Sequence, residues 1–172
     1  VYVSGYNTNL YALDASTGTL LWSYPTGGDE EGSPVVANGV VYAGANDSDV
    51  YAFDASTGAV LWSYAINNLT PTPAVADGVV YVGNYDGNVY ALDANTGALL
   101  WTSSVGGSSS PAVANGVVYS GGGNNVYALD ARTGAQLWTY RTGGSVWSSP
   151  AVANGVVYVG SYDGNVYAFG LK

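Results

Sequence analysis

Hydrophobic residues in this chain come in short runs, and most runs are apolar at consecutive positions. Val40-Val41-Tyr42-Ala43-Gly44 and Val79-Val80-Tyr81-Val82-Gly83 show the pattern. A strand with one wet face would alternate apolar and polar residues, so these runs predict strands covered on both faces. No stretch keeps a helical rhythm over a useful length. The runs are rich in Val, Tyr, Leu and Trp, the residues that suit a pleated surface.

Punctuation between the runs is regular. Asn38-Gly39, Asp77-Gly78, Asn115-Gly116 and Asn154-Gly155 each separate two apolar runs. A type I′ hairpin needs positive φ at both central residues, and this dipeptide supplies it. Asp86-Gly87 and Asp163-Gly164 mark a second set of turns.

One phrase recurs four times: Tyr-Ala-(Leu/Phe)-Asp-Ala-x-Thr-Gly-x-x-Leu-Trp, at Tyr11–Trp22, Tyr51–Trp62, Tyr90–Trp101 and Tyr127–Trp138. Its Asp stands at 14, 54, 93 and 130, giving steps of 40, 39 and 37. A period in this range marks a repeat architecture. Each repeat resolves into four β segments, A to D. In the second repeat they are expected at Ser33–Ala37, Val40–Gly44, Val50–Asp54 and Ala59–Tyr64. The C–D join is the Asp-Ala-x-Thr-Gly of the phrase. Its Asp accepts backbone N–H groups within the turn, and its Gly takes the left-handed conformation.

Four-stranded antiparallel sheets, repeated at about forty residues and packed face to face, describe a β-propeller. An open stack or β-solenoid is the alternative fold. The expected units are 1–27 (partial), 28–66, 67–105, 106–143 and 144–172 (partial). Residues 1–14 match residues 157–170 at an offset of 156. The first unit therefore supplies segments B, C and D, and the last supplies A, B and C. That arrangement allows five blades, two of them three-stranded, or half of an eight-bladed ring made with a second chain. It also fits a piece of a longer array. Unpaired terminal strands invite association between copies, so a homo-oligomer through these strands is a candidate assembly. The opening on Val1, without Met or a signal peptide, reads as a mature form or an excised piece.

Composition narrows function mostly by exclusion. Of 172 residues 48% are hydrophobic and 9% charged, which is not the composition of a disordered tail. Net charge is −9, and the only cations are Arg132, Arg141 and Lys172. No basic stripe can be assembled from three cations, which argues against nucleic-acid binding and against attraction to anionic membrane surfaces. No apolar stretch reaches the length of a membrane-spanning helix. Cys, His and Met are absent, so the chain has no thiolate nucleophile and no imidazole for acid–base work or metal ligation. Absence of Cys with little Lys points weakly to an extracellular or periplasmic setting.

The repeated Ala-x-Asp-x-x-Thr-Gly-x-x-x-Trp resembles the tryptophan-docking motif of the quinoprotein alcohol dehydrogenase-like propellers, also called PQQ-like repeats. The resemblance covers essentially the whole chain. It implies that Trp22, Trp62, Trp101 and Trp138 are clamped against the neighbouring blade by the motif's small residues, with Asp14, Asp54, Asp93 and Asp130 and Gly18, Gly58, Gly97 and Gly134 shaping the turns. A large ring beside small residues suits that role. The family holds both PQQ-dependent dehydrogenases and non-catalytic members, including an outer-membrane assembly lipoprotein and sensor domains. Fold alone does not choose between them.

Positions that depart from the repeat carry individuality. The A–B and C–D turns are nearly uniform, whereas the D–A and B–C loops vary and emerge together on one face. That face is the candidate functional surface. Asp29, Glu30 and Glu31, with Asp47 and Asp49, form either an acidic patch able to take a weak Ca²⁺ or a solvated acidic loop. Trp147, with Arg141 nearby, stands where other repeats have Glu31, Thr70 and Ser108. It is either an anchor for a partner or sugar, or a ring that fills the channel or closure seam. Tyr6, Tyr85 and Tyr162 occupy equivalent B–C loops as a glycan or peptide surface, or as loop packing.

The family's active dehydrogenases carry an adjacent Cys pair, Ca²⁺-ligating Glu and Asn, and a catalytic Asp. This chain has no Cys, and most of its carboxylates outside the acidic loop are turn residues of the repeat. A catalytic centre needs different groups converging on one atom, and near-identical blades supply similar ones. The expected protein is therefore not an enzyme and takes no cofactor. It is a binding or scaffold propeller for a protein or glycan ligand. The alternatives are a purely structural, self-assembling or designed repeat and, less favoured, a remnant of a PQQ-dependent dehydrogenase.

Overall fold

A computed structural model describes residues 1–5, 9–27, 32–45, 49–67 and 72–170. The described residues form no helix and fall into five antiparallel sheets. The first holds β1 (Tyr2–Gly5), β2 (Asn9–Leu13) and β3 (Leu20–Pro25). The second holds β4 (Val35–Ala37), β5 (Val40–Gly44), β6 (Asp49–Asp54) and β7 (Val60–Ala65). The third holds β8 (Ala74–Ala76), β9 (Val79–Gly83), β10 (Val89–Asp93) and β11 (Leu99–Ser103). The fourth holds β12 (Ala112–Ala114), β13 (Val117–Gly122), β14 (Asn125–Asp130) and β15 (Gln136–Arg141). The fifth holds β16 (Ala151–Ala153), β17 (Val156–Gly160) and β18 (Val166–Gly170). Every sheet runs in simple up-and-down order, and β4, β8, β12 and β16 approach one another in succession as the innermost strands. This is a β-propeller built of four-stranded blades, with three strands in the first and last.

The hairpin dipeptides have the backbone that a type I′ turn demands. Asn38, Asp77, Asn115 and Asn154 lie at φ of 50–51°, each followed by a Gly at φ of 72–78°. The innermost strands are shorter than the sequence pattern suggests and begin at Val35 instead of Ser33. Pro34 has no N–H to give to the ladder, so pairing starts after it. The outermost strand of the second blade is Val60–Ala65, one residue later than the pattern suggests.

Each outermost strand carries a bulge. Ala12 pairs with Trp22 and Leu13 with Leu20, which leaves Leu21 unpaired; Leu61, Leu100 and Leu137 take the same place in β7, β11 and β15. These leucines are each more than half accessible.

The core lies between the sheets. Leu10, Val41, Ala43 and Phe53 fill the gap between the first two, and Tyr42, Val50, Ala52, Trp62, Val80, Val82 and Leu92 the next. Tyr81, Val89, Ala91, Val118 and Leu129 form the third layer, and Tyr119, Val126, Val146, Val157 and Val159 the fourth. Burial of both faces explains why the central strands are apolar at consecutive positions.

Neighbouring blades also share hydrogen bonds. Trp22 Nε1 donates to the Ala55 carbonyl (3.0 Å), Trp62 to Ala94 (2.9 Å) and Trp101 to Ala131 (3.0 Å). The same carbonyls accept from the hydroxyls of Tyr2 (2.9 Å), Tyr42 (3.2 Å) and Tyr81 (3.1 Å). A Cβ placed on Gly58, Gly97 or Gly134 would lie 2.5–2.7 Å from the indole of Trp22, Trp62 or Trp101. Only glycine leaves room for the ring there, and its positive φ suits the turn as well. Trp138 packs on Phe169, with ring centroids 5.2 Å apart.

Candidate functional site: the loop face around Trp147 and Tyr162

The C–D turns repeat one arrangement. Asp14 Oδ1 accepts from the backbone N–H of Ser16 (2.9 Å) and Thr17 (2.8 Å) and from both hydroxyls (2.6 and 2.9 Å). Asp54 does the same with Ser56 and Thr57. The Ser56 hydroxyl and then the Thr57 bonds hold the Asp54 carboxyl down at about 2. Asp14, Asp93 and Asp130 are likewise lowered by bonds from neighbouring hydroxyls and N–H groups. These carboxylates are consumed in holding turns.

The opposite face is built from D–A loops seated on B–C loops. Thr142 N and Val146 N donate to the carbonyls of Asn124 (2.9 Å) and Gly123 (2.7 Å) in the B–C turn of the fourth blade. The next blade then joins: Tyr162 N donates to Ser145 O (2.9 Å), and Gly143 N donates to Asp163 Oδ2 (2.7 Å). A Cβ on Gly143 would lie 2.8 Å from that same oxygen, and one on Gly144 would lie 2.5 Å from Asp163 N. The glycine pair lets the two loops touch. Asp163 also accepts from Tyr167 Oη (2.7 Å) and Asn165 N (2.9 Å). With the Tyr167 bond as the main cause, its carboxyl sits at about 2 while the Tyr167 phenol is pushed up.

Val146 is fully buried and anchors the loop, which leaves Trp147 directed outward at 61% exposure. Tyr162, 79% exposed, meets it edge to face, with centroids 6.4 Å apart and planes at 77°. Together with Ser145 they line a hollow of about 290 Å³. A second hollow of about 250 Å³ lies along Tyr162, Ser148, Gly160 and Ser161. The surface is largely apolar and aromatic, with serine hydroxyls at its margins, a chemistry that stacks on flat or apolar ligand faces.

Trp147 and Tyr162, singled out separately in the sequence, are therefore brought into contact. Tyr85 is also exposed but belongs to the B–C loop of the third blade. Arg141 differs from the sequence reading: it is the last residue of β15, paired with Asn125, and not part of the loop. The β15 ladder extends one step further than the apolar run because Asn125 opens β14 opposite it. Asp49 opens β6, while Tyr6, Asp29, Glu30, Glu31 and Asp47 lie outside the described residues. Sequence reasoning missed Ser145, Ser148 and Asp163 as parts of this surface. Asp163 was visible only as half of a turn dipeptide, and the serines carry no distinguishing pattern.

Among the described residues no donor set fits a quinone cofactor with its cation. The chain has no cysteine, Arg132 lies in a C–D turn, and Arg141 is on an outermost strand. Among the described residues no group of three or more carboxylates gathers.

Against known proteins, the family model described as outer membrane protein assembly factor BamB matches residues 1–107 and 85–172. No curated protein matches the chain. Among solved structures, BamB from Moraxella catarrhalis superposes with a TM-score of 0.85 at 23% identity, over 99% of this chain and 58% of that one. The computationally designed Ika8 protein gives 0.83 at 20% identity, over 99% and 55%. Quinohemoprotein alcohol dehydrogenase ADHIIG from Pseudomonas putida HK5 gives 0.76 at 21% identity, over 98% and 40%. The chain thus spans a little over half the length of the first two. At these identities the structural likenesses speak for the fold alone.

Proposed function

The chain belongs to the family of the outer membrane protein assembly factor BamB, and on that premise we propose that it is a non-catalytic propeller that binds a protein or cell-surface ligand through its D–A and B–C loop face. The observation that carries this reading is the Trp147–Tyr162 pair: two large rings, both exposed, held edge to face by the D–A loop that leads into the last blade and the B–C loop of that blade. Aromatic rings on a rigid frame offer contact area at low entropic cost, and they dominate binding energy where they are found at interfaces.

The rest of the chain acts as scaffold in this reading. Trp22, Trp62, Trp101 and Trp138 tie each unit to the next, and the turn residues Asp14, Asp54, Asp93 and Asp130 hold the joints in shape. The units 1–27, 28–66, 67–105, 106–143 and 144–172 act as modules of one frame. A periplasmic or extracellular setting accords with the family and with the absence of cysteine. The lack of a fitting donor set for the quinone weighs against dehydrogenase activity.

The test is a glycan array together with a pull-down, read by titration of any ligand found against wild type and Trp147→Ala. Loss of about tenfold or more in affinity is expected, with the thermal midpoint unchanged because the ring lies at the surface. Undiminished binding by Trp147→Ala would overturn the assignment of this face. Dye reduction by alcohols in the presence of PQQ and Ca²⁺ would overturn the non-catalytic reading.

A further inference from the structure

One joint between complete blades departs from the repeat in charge. The A–B hairpin turn is Asn38-Gly39, Asn115-Gly116 and Asn154-Gly155 elsewhere, but Asp77-Gly78 in the third blade. The residue after the Ala of the C–D turn is Ser16, Ser56 and Asn95 in the first three blades, but Arg132 in the fourth. The two departures have opposite sign, and the fold brings them to one place. Asp77, Tyr81, Asp130 and Arg132, together with Val79 and Ala131, line a hollow of about 370 Å³ where the third blade meets the fourth. Both of these blades have all four strands. The corresponding turns of the second and third blades carry the neutral Asn38 and Asn95. In a chain with only three Lys and Arg residues, one of them stands at this hollow.

The bonding around the hollow shows which groups are left for a ligand. Tyr81 is buried, and its hydroxyl donates to the Ala131 carbonyl (3.1 Å), the acceptor that Trp101 Nε1 also uses (3.0 Å). The tyrosine therefore brings ring carbon to the lining, and the joint behind it is fixed. Asp130 Oδ1 accepts from the N–H groups of Arg132 (3.1 Å) and Thr133 (2.8 Å) and from the Thr133 hydroxyl (2.8 Å), so it is consumed in its turn. Among the described residues the Asp77 carboxylate and the Arg132 guanidinium enter no ion pair and no side-chain hydrogen bond. Burial, and then the charges of Asp77 and Asp130, push the Tyr81 phenol up, which places both carboxylates within electrostatic reach of the same ring. Two carboxylates against one guanidinium leave the hollow with one net negative charge. An anion alone is disfavoured there, and a ligand has to bring a cation as well.

We propose that this hollow binds a zwitterion of the amino-acid class, a free amino acid or a short peptide, with its ammonium group at Asp77, its carboxylate at Arg132 and an apolar side chain over Val79 and Tyr81. A guanidinium matches a carboxylate in forked geometry, and hydrogen bonds between charged partners are the strong ones. The volume lies at the small end of the range for small-molecule sites, about 300–1,000 Å³. Both charges sit on tight turns fixed by the blade joint, so little ordering is left for binding to impose. The site lies on the face of the A–B and C–D turns, opposite the Trp147–Tyr162 loops, and does not rest on the ligand reading of that face.

The test is calorimetric titration of the full 172-residue chain with leucine, leucyl-leucine, N-acetylleucine and leucinamide. Saturable binding of a zwitterion at one per chain is expected. Binding of either zwitterion supports the site, and the tighter of leucine and leucyl-leucine identifies the source as free amino acid or peptide. N-acetylleucine keeps only the carboxylate and leucinamide only the ammonium, and each is expected to bind about tenfold more weakly or worse. Asp77→Asn and Arg132→Asn install the residues that the neighbouring blades carry at these positions, so hairpin and turn are kept, and thermal melts check it. Each variant is expected to lose about ten- to hundredfold in affinity for the zwitterion. Trp147→Ala is expected to bind it as wild type does, which separates this site from the loop face. Failure of both zwitterions to saturate the chain at about 10 mM overturns the proposal. So do single-charge analogues that bind as tightly as the zwitterion, or folded Asp77→Asn and Arg132→Asn variants that bind as tightly as wild type.

Discussion

The Ala94 carbonyl accepts two hydrogen bonds from the preceding blade, from Trp62 Nε1 at 2.9 Å and from Tyr42 Oη at 3.2 Å. All three residues are buried. Removing one donor leaves the carbonyl satisfied by the other; removing both leaves a buried acceptor with neither side-chain partner. Tyr42→Phe deletes one hydroxyl at constant ring volume and should cost about 0.5–1.5 kcal/mol. Trp62→Phe loses the N–H together with part of the packed ring and should cost about 1–3 kcal/mol. The double variant should exceed the sum of the two by about 1–2 kcal/mol, the desolvation penalty of an orphaned acceptor. The packing loss of Trp62→Phe occurs on both sides of the cycle and cancels. Urea unfolding by far-UV circular dichroism measures the four free energies, provided the slope against urea is constant across the set. In a chain of this size each kcal/mol moves the thermal midpoint by about 2–4 °C, so the excess is readable by calorimetry as well. Additive single and double variants would refute the shared-acceptor account and reduce the joint to ring packing.

Gly97→Ala should destabilise by about 1–3 kcal/mol more than Gly78→Ala, because both strain a positive φ but only the first drives a Cβ to 2.7 Å from the Trp62 ring; paired thermal melts read the difference. Asn115→Val should cost about 1–2 kcal/mol in urea unfolding, since a β-branched residue at φ of 51° strains the hairpin. Acid should weaken the fold in a defined window. Asp54 and Asp163 sit at about 2 in the folded chain against an ordinary 3.8, so the stability they contribute is complete above about pH 4 and is lost as pH falls through 2. Thermal midpoints between pH 5 and pH 2 should fall only in the lower part of that range, and Asp54→Asn should flatten the decline.

Much of the fold was legible because each local signal agreed with the others. Asn-Gly and Asp-Gly marked hairpins, consecutive apolar positions marked strands buried on both faces, and the fourfold phrase set the blade. The bulge at Leu21 and its counterparts was not legible. Leu20-Leu21-Trp22 reads as an uninterrupted strand, and only the register shows that one leucine drops out of pairing. The late start of the innermost strands follows from Pro34, which has no N–H to give to the ladder. The candidate surface was half legible. Trp147 announced itself by breaking the repeat, but its neighbour Tyr162 shares its position with tyrosines in other loops. Their contact depends on Val146 being pulled into the core and on Gly143-Gly144 letting two loops approach, which no spacing reveals.

At the three joints made by Trp22, Trp62 and Trp101 the acceptor is a main-chain carbonyl. Such an oxygen is present whatever side chain occupies the position, so neighbouring modules need no co-adapted polar pair to recognise each other. A duplicated or inserted module of this phrase would arrive with its own connector and find the socket ready. Growth and loss of the array in whole-module steps is therefore chemically undemanding, and divergence can be confined to the loops that the joints leave alone.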